Sequence, residues 1–447
     1  MAERTIVMTE GKPLGLILKF ALPLMLGNVC QQLYTMVDTM IVGNGVGVEA
    51  LASLGAADWL NWMVLSAITG FAQGFSILVS QHVGARNEAK IRQSVVMSCA
   101  LSIGLVVVLT LAAHLLCEPV LGLLNTPENV IGGSITYLRV MFSGIFATMA
   151  YNLFSAILRA FGDSKTPLIA MLIGSVTNIG LDMLFVYAFG WGIFGAAIAT
   201  VIAQCLAALF CLLYLLRWPV LKMQRQDLVF DRDMVTHLLR LGSPVAFQNA
   251  IISVGGLVVQ YVVNGFGFLF VAGFTATNKL YGLLELAAVS YGYAVATYAG
   301  QNLGAGKIER IREGIRAAIK LFVGTSLVIS LMMIFLGKPL VGLFVSAEAT
   351  SRLEVIDIAY RYLFVMALFL SVLFLLHLYR NALQGMGNTL IPMISGLIEL
   401  AMRIGAALLL PLWLGQNGIY LAEILAWIGA EVFLMVNYYR DLGSRLH

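Results

Sequence analysis

Twelve long apolar runs, separated by short polar breaks, leave this chain few folds to choose from. They cover roughly residues 15–43, 50–80, 94–117, 134–157, 167–189, 192–216, 238–263, 271–301, 316–336, 359–384, 391–413 and 418–440. A helix rises about 1.5 Å per residue, so about 20 apolar residues cross the hydrocarbon core of a bilayer. A transmembrane barrel would instead show strands of about ten alternating residues. Of the 447 residues 60% are hydrophobic and only 11% charged, which leaves little material for a domain outside the membrane. The expected fold class is an all-α integral membrane protein with twelve transmembrane helices. Several runs exceed what a bilayer requires, so tilted helices or projecting ends are expected.

Charge sets the orientation. Basic residues fall in the polar lead (Arg4, Lys12, Lys19), after run 2 (Arg86, Lys90, Arg92) and after run 4 (Arg159, Lys165). The link after run 6 adds Arg217, Lys222, Arg225, Arg232 and Arg240, and the link after run 8 adds Lys307, Arg310, Arg312, Arg316 and Lys320. With Arg380, Arg440 and Arg445, 21 of the 27 basic residues lie on one side. By the positive-inside rule both termini are expected in the cytoplasm of a cell-membrane protein. The polar lead runs into the first apolar run without a cleavage site, so that run is expected to be retained. The five cysteines show neither paired nor metal-ligand spacing.

The chain repeats itself. Gln81–His82–Val83–Gly84–Ala85 matches Gln301–Asn302–Leu303–Gly304–Ala305, and Gly162–Asp163–Ser164–Lys165–Thr166–Pro167 matches Gly387–Asn388–Thr389–Leu390–Ile391–Pro392. Each half opens on a segment ending in proline, at Pro23 and Pro244, and all offsets are 220–225 residues. The polar stretch 217–237 separates an N-terminal bundle, 1–216, from a C-terminal bundle, 238–447. Six runs per half is even, so the repeats are expected to be parallel, with a central cavity as the default substrate path.

Residues able to carry chemistry stand out because charge inside a bilayer is costly, about 2.5–3.5 kcal/mol at a helix centre. Asp182 lies in run 5, with Asn178 one turn away on the same face. Counting from the run ends places Asp38, Asp182 and Thr200 in the outer half of the first repeat, with Asn178 one turn deeper. Gln31, Tyr34 and Asp38 share a face of run 1. The second repeat has Val259 and Ala407 where the first has Asp38 and Asp182, so the constellation is confined to one half. Two carboxylates close together in a low dielectric cannot both stay ionised, so a proton or a Na⁺ must be held there. The plainer alternative is that Asp182 accepts helix–helix hydrogen bonds while Asp38 faces the aqueous mouth.

The strings Gln31–Thr39 (QQLYTMVDT), Asn178–Asp182 (NIGLD) and Gly195–Thr200 (GAAIAT) resemble the multidrug and toxic compound extrusion (MATE) family, across essentially the whole chain. Within it the chain is similar to the DinF-like branch, with its cation site in the N-terminal half. The resemblance implies an antiporter, driven by H⁺ or Na⁺, that exports organic, often cationic compounds by alternating access. It assigns Asp38, Asn178, Asp182 and Thr200 to cation coupling and matches Gln31 and Tyr137 to the cavity wall; Tyr34 is expected in the same cavity because it shares the face of run 1 with Gln31 and Asp38. Run 7 carries Gln248 and Asn249 but no carboxylate, and run 10 has none after Arg361, which argues against a site of the C-terminal type.

The second half carries charges of its own: Lys279 and Glu285 in run 8, Glu399 and Arg403 in run 11, Glu423 and Glu431 in run 12. One reading is a network of buried ion pairs that holds the second half together. The other is that Glu285 or Glu399, with Arg403 nearby, faces the cavity and neutralises a cationic substrate. Twenty methionines are compatible with an adaptable cavity and equally with ordinary packing. The rival transport function is a flippase for a lipid-linked saccharide, whose cationic cavity would rest on Lys279 and Arg403. An enzyme is disfavoured by the absence of HExxH, GxSxG or acidic metal motifs, and a channel by the absence of a filter repeat. Expected partners are a small organic substrate and membrane lipid, without nucleic acid. A monomer is expected, with no cofactor beyond the transported ion.

Overall fold

The computed structural model describes residues 5–124, 126–222, 224–345 and 351–446. The first repeat comprises α1 (Pro13–Gly45), α2 (Val48–Gly84), α3 (Glu88–Leu123), α4 (Glu128–Ser143), α5 (Ile145–Ala160), α6 (Lys165–Asp182) and α7 (Gly192–Leu215). The second comprises α8 (Arg232–Asn264), α9 (Phe268–Gly304), α10 (Ile308–Gly342), α11 (Arg352–Gly385), α12 (Leu390–Leu409), the short α13 (Pro411–Leu414) and α14 (Gln416–Leu446). Among the described residues, ten helical segments are long and apolar enough to cross a membrane, and the bent pair α4–α5, counted as one span, makes an eleventh. The twelfth is α9, 37 residues long, whose apolar run is interrupted by Lys279 and Glu285. The helices overrun the apolar runs at their ends, as their excess length implied.

Run 4 is a broken helix. α4 and α5 meet at 50° around Gly144, where Val201 of α7 presses in. A Cβ at Gly144 would lie 2.4 Å from Val201 Cγ2, so the kink has an identifiable wedge.

The repeat extends to individual backbone bonds. Ala85, Arg86 and Asn87 donate to the carbonyls of Gln81, Val83 and His82; Ala305, Gly306 and Lys307 donate to those of Gln301, Leu303 and Asn302. The same correspondence links the turn at Phe161–Asp163 to the turn at Met386–Asn388. Gly306 takes φ +71°, and its counterpart Arg86 takes φ +53°, a left-handed conformation uncommon for a residue with a side chain.

Two compact units emerge, one of Met1–Val7 and Leu22–Ala246, the other of Met8–Ala21 and Phe247–His447. The chain therefore changes unit inside α1 and again inside α8, close to Pro23 and Pro244. The opening of α8 packs with the first unit: Leu238 and Leu241 join a core with Phe75, Val79, Ile157 and Cys211. A Cβ at Gly74 would sit 2.3 Å from Gly242 Cα, so only glycines let these two backbones approach so closely. The linker belongs here too, since Arg92 pairs with Asp227 at 2.9 Å and Gln93 donates to Asp231 at 2.8 Å.

Residues 8–11, just ahead of α1, are held within the second unit. Met8 N–H donates to Gln301 Oε1 (3.0 Å), and Asn302 Nδ2 donates to the Met8 carbonyl (3.0 Å). Lys307 Nζ donates to the Thr9 carbonyl (3.0 Å), and Arg310 to that of Gly11 (2.6 Å).

Candidate functional site

The start of α6 is fixed by Asp163, a fully buried residue just ahead of the helix. Its carboxylate accepts from the N–H groups of Lys165 and Thr166 (both 3.0 Å) and from the Thr166 hydroxyl (2.6 Å). This satisfies helix-start donors that would otherwise be orphaned. α6 then runs to Asp182, where the winding changes: Met183–Ala188 form a π-helical turn, and Phe189 N–H reaches back five residues to Leu184. Such wide turns recur at functional positions because they re-aim the side chains beside them. Val186 of this turn packs with Ile41, Val42, Ala50, Leu54 and Ala196, and the Tyr187 hydroxyl donates to the Ile41 carbonyl at 3.4 Å. The cluster ties α6 to the end of α1 and fixes Asp182 relative to Asp38.

Four of the expected residues meet here, and all belong to the first unit. Asn178 and Asp182 are buried, Asp182 with no exposed surface. The Asp38 and Asp182 carboxyl groups lie within hydrogen-bonding reach of each other. The Asn178 amide satisfies both its ends in one orientation: its nitrogen donates to Asp182 Oδ2 (2.7 Å) and to the Tyr34 hydroxyl (3.2 Å), while its oxygen faces the Thr200 N–H (3.0 Å) and hydroxyl (3.2 Å). The Thr200 hydroxyl also donates to the Ala196 carbonyl (3.1 Å) and is a partner of Tyr34. Asp38 Oδ1 and Asp182 Oδ1 are buried and have no hydrogen-bond partner. Two carboxyl groups within reach of each other, each with a buried oxygen lacking a partner, cannot both stay ionised cheaply.

Tyr137 of α4 adjoins the pair electrostatically, next to Asp38, Asp182 and Tyr34. Gln31 is exposed on α1, one turn before Tyr34. Asp58 of α2, overlooked in the sequence, is an electrostatic neighbour of Asp38 and Tyr137. Its signal was the one that picked out Asp182, a carboxylate inside an apolar run.

The second unit is arranged differently. Arg380 donates to Glu399 Oε2 (2.7 Å), and Arg403 to Glu399 Oε1 (2.8 Å) and Glu423 Oε2 (2.9 Å). Arg380, Glu399 and Arg403 are all buried. Gly255 of α8 makes room for this, since a Cβ there would lie 3.0 Å from an Arg403 guanidinium nitrogen. Glu285 stands apart, paired with His377 Nε2 at 3.1 Å. Two sequence expectations are corrected. Arg380, counted among the basic residues of one side, is not a solvated surface charge: it lies near the end of α11 with its side chain turned into the helix packing to answer Glu399. Lys279 is exposed rather than buried, and Glu285 is half-buried.

The fold and its duplication have counterparts among known proteins. The MatE family model matches twice, at residues 23–184 and 244–409, reproducing the internal repeat. The chain is 31% identical over 446 residues to the probable multidrug resistance protein YpnP of Bacillus subtilis, covering 98% of each. It is 28% identical to the probable multidrug resistance protein NorM of Thermotoga maritima, over 86% of this chain and 82% of that one. Among solved structures, a MOP superfamily transporter from Pyrococcus furiosus superposes over the full length of both chains, with a TM-score of 0.93 at 22% identity. An outward-facing MATE transporter gives 0.91 at 23% identity, over 100% of this chain and 99% of that one. A duplicated twelve-span fold, matched by the family model in both repeats and by a full-length relative, places the chain in the MatE family of membrane transporters.

Proposed function

We propose that the chain is a proton-coupled exporter of organic, often cationic or amphipathic compounds, working by alternating access in the cell membrane with both termini in the cytoplasm. The observation that carries this reading is the contact between the Asp38 and Asp182 carboxyl groups, each with a buried oxygen lacking a partner. The multidrug names of its relatives support the substrate class. The coupling ion is argued from Asn178: its nitrogen faces Asp182 and its oxygen is engaged by Thr200. A Na⁺ would need oxygen ligands, and an amide nitrogen is not one. A proton needs only the two carboxyl groups. It drives transport by binding the outward- and inward-facing states with different affinity, because an ion bound equally by both shifts nothing.

The test is uptake of a fluorescent organic cation into proteoliposomes under an imposed ΔpH or ΔNa⁺. ΔpH should drive accumulation, ΔNa⁺ should not, and Asp182→Asn should remove the response while the protein still melts normally. Gradient-driven accumulation at the usual rate in that variant would sink the reading. Maleimide labelling of cysteines introduced at the two ends, in intact cells and in inverted vesicles, tests the orientation.

A further inference from the structure

The two repeats close their last long helix differently. In the first unit α7 stops at Leu215, and the chain folds back over α3 in two short turns, Pro219–Leu221 and Arg225–Leu228. Trp218 and Leu221 join Ile91 and Val95 of α3 in one core, and the Tyr214 ring meets Trp218 edge-on at 6.1 Å. Arg92 of α3 is answered there by Asp227 at 2.9 Å, with only 11% and 7% of the two side chains exposed.

In the second unit the matching residues, at the offsets of the repeat, are Arg312 for Arg92 and Tyr438 for Tyr214. α14 does not stop where α7 does but runs on to Leu446, so among the described residues no turn follows it back over α10. Arg312 consequently lacks a buried acid. It meets Glu309, one turn earlier on its own helix, and both side chains are exposed. Arg316, one turn further on, is exposed and enters no ion pair among the described residues.

Tyr438 supplies an independent sign of a missing ligand. It is 1% exposed, packed against the rings of Tyr379 (5.4 Å) and Tyr439 (5.2 Å), and its buried hydroxyl has no hydrogen-bond partner. The charges acting on it are Arg312 and Arg316 of α10 and Asp441 of its own helix. Asp441 is already engaged by Arg445 at 2.8 Å. A buried hydroxyl left unpaired is costly, and a phenol can donate. Each guanidinium presents a planar fork of donors that fits phosphate. The acceptor that all three groups share is an anion with several oxygens. Towards the bilayer centre the same two helices expose apolar side chains, Leu327 and Val328 on α10 and Val432 and Val436 on α14. An acyl chain laid there would cover them.

We propose that Arg312, Arg316 and Tyr438 bind the phosphate of an anionic phospholipid, which takes in the second unit the place that Asp227 fills in the first. The Tyr438 O–H and the two guanidinium groups donate to the phosphate oxygens, joining α10 to α14. A zwitterionic lipid offers the same phosphate but brings its own cation beside two arginines, so a net negative headgroup is preferred. Only the leaflet, the cytoplasmic one, rests on the orientation proposed above.

The experiment titrates the purified, delipidated full-length protein in detergent with phosphatidylglycerol or phosphatidylcholine. Native mass spectrometry counts bound lipid, and thermal melting reads stabilisation. Phosphatidylglycerol should bind about tenfold tighter. Arg312→Gln with Arg316→Gln should erase that preference, while the same loss of charge in the first unit, Lys165→Gln with Arg217→Gln, should preserve it. Tyr438→Phe keeps the ring, so melting without lipid should not fall, yet phosphatidylglycerol binding should weaken about threefold or more. Equal affinity for the two lipids, a preference that survives loss of both arginines, or one lost equally in the first-unit variant would overturn the site. Should the double arginine variant fail to fold, Tyr438→Phe decides, and native phosphatidylglycerol binding there rejects the proposal. Inorganic phosphate at millimolar concentration should neither raise the melting temperature nor displace the lipid. If it does both, the lipid is rejected and the site belongs to a free phosphate.

Discussion

The two units share a backbone plan down to single turn hydrogen bonds, yet they handle buried charge in opposite ways. The first unit brings Asp38 and Asp182 together with neutral neighbours, Tyr34, Asn178 and Thr200, and leaves a carboxylate oxygen of each without a partner. The second answers Glu399 and Glu423 with arginines and sets Glu285 beside His377. The contrast separates holding charge from exchanging it. An acid locked by arginine is a structural cross-link, because nothing can displace its partner without stranding a charge. An acid facing another acid, as Asp38 faces Asp182, is where the proposed proton exchange would take place.

The largest expected effect tests the first half of that contrast. Asp182→Asn should reduce ΔpH-driven export about 100-fold, the upper end of coupling between sites, with little change in melting temperature. Next comes the reverse signature in the second unit. Arg403→Met removes the cation answering Glu423 and one of two answering Glu399, and should destabilise the protein by about 3–5 kcal/mol. Thermal melting should recover in part when Glu423→Gln is added; equal melting of the single variant and the native protein would show the network to be dispensable. A smaller effect is expected at Asn178, whose amide supports Asp182 without holding the ion. Asn178→Ala removes hydrogen bonds worth about 1–2 kcal/mol, so the ΔpH needed for half-maximal export should rise while the maximal rate stays near normal. The smallest lies outside the spans. Asp227→Asn weakens the pair with Arg92 and should cost about 1 kcal/mol in denaturant or heat, with transport per folded molecule unchanged.

The twelve spans and the duplication were legible in the sequence because both rest on strong, local signals: the cost of polar residues in a bilayer, and strings repeated at a fixed offset. Asp182 was legible on the same ground, and counting along the helices was enough to bring Asp38, Asn178 and Thr200 to it. Asp58 carried the same signal and escaped because no polar neighbours were found for it. The partner of Arg380 was not legible, because near the end of a run sequence position cannot separate a side chain reaching the aqueous surface from one folded back onto Glu399. The π-helical turn after Asp182 has no signature in composition, since it is a change of hydrogen-bond register within ordinary apolar residues. The kink at Gly144 depends on Val201, 57 positions away, and a glycine in an apolar run does not announce its wedge.

The changes of unit within α1 and α8 bear on how such a chain arose. Each repeat sends its leading segment to the other: residues 8–21 dock with the second unit, and the linker with the start of α8 docks with the first. A lone six-span repeat would have an orphaned leader and an unfilled berth for one. Two copies would cure both defects by trading leaders, a reciprocal swap of the kind that builds dimers cheaply. Joining the copies end to end turns that trade into an internal one, at the high effective concentration a short tether provides. Halves severed in the 217–237 stretch and produced together should therefore recover each other, while either half alone should be left incomplete.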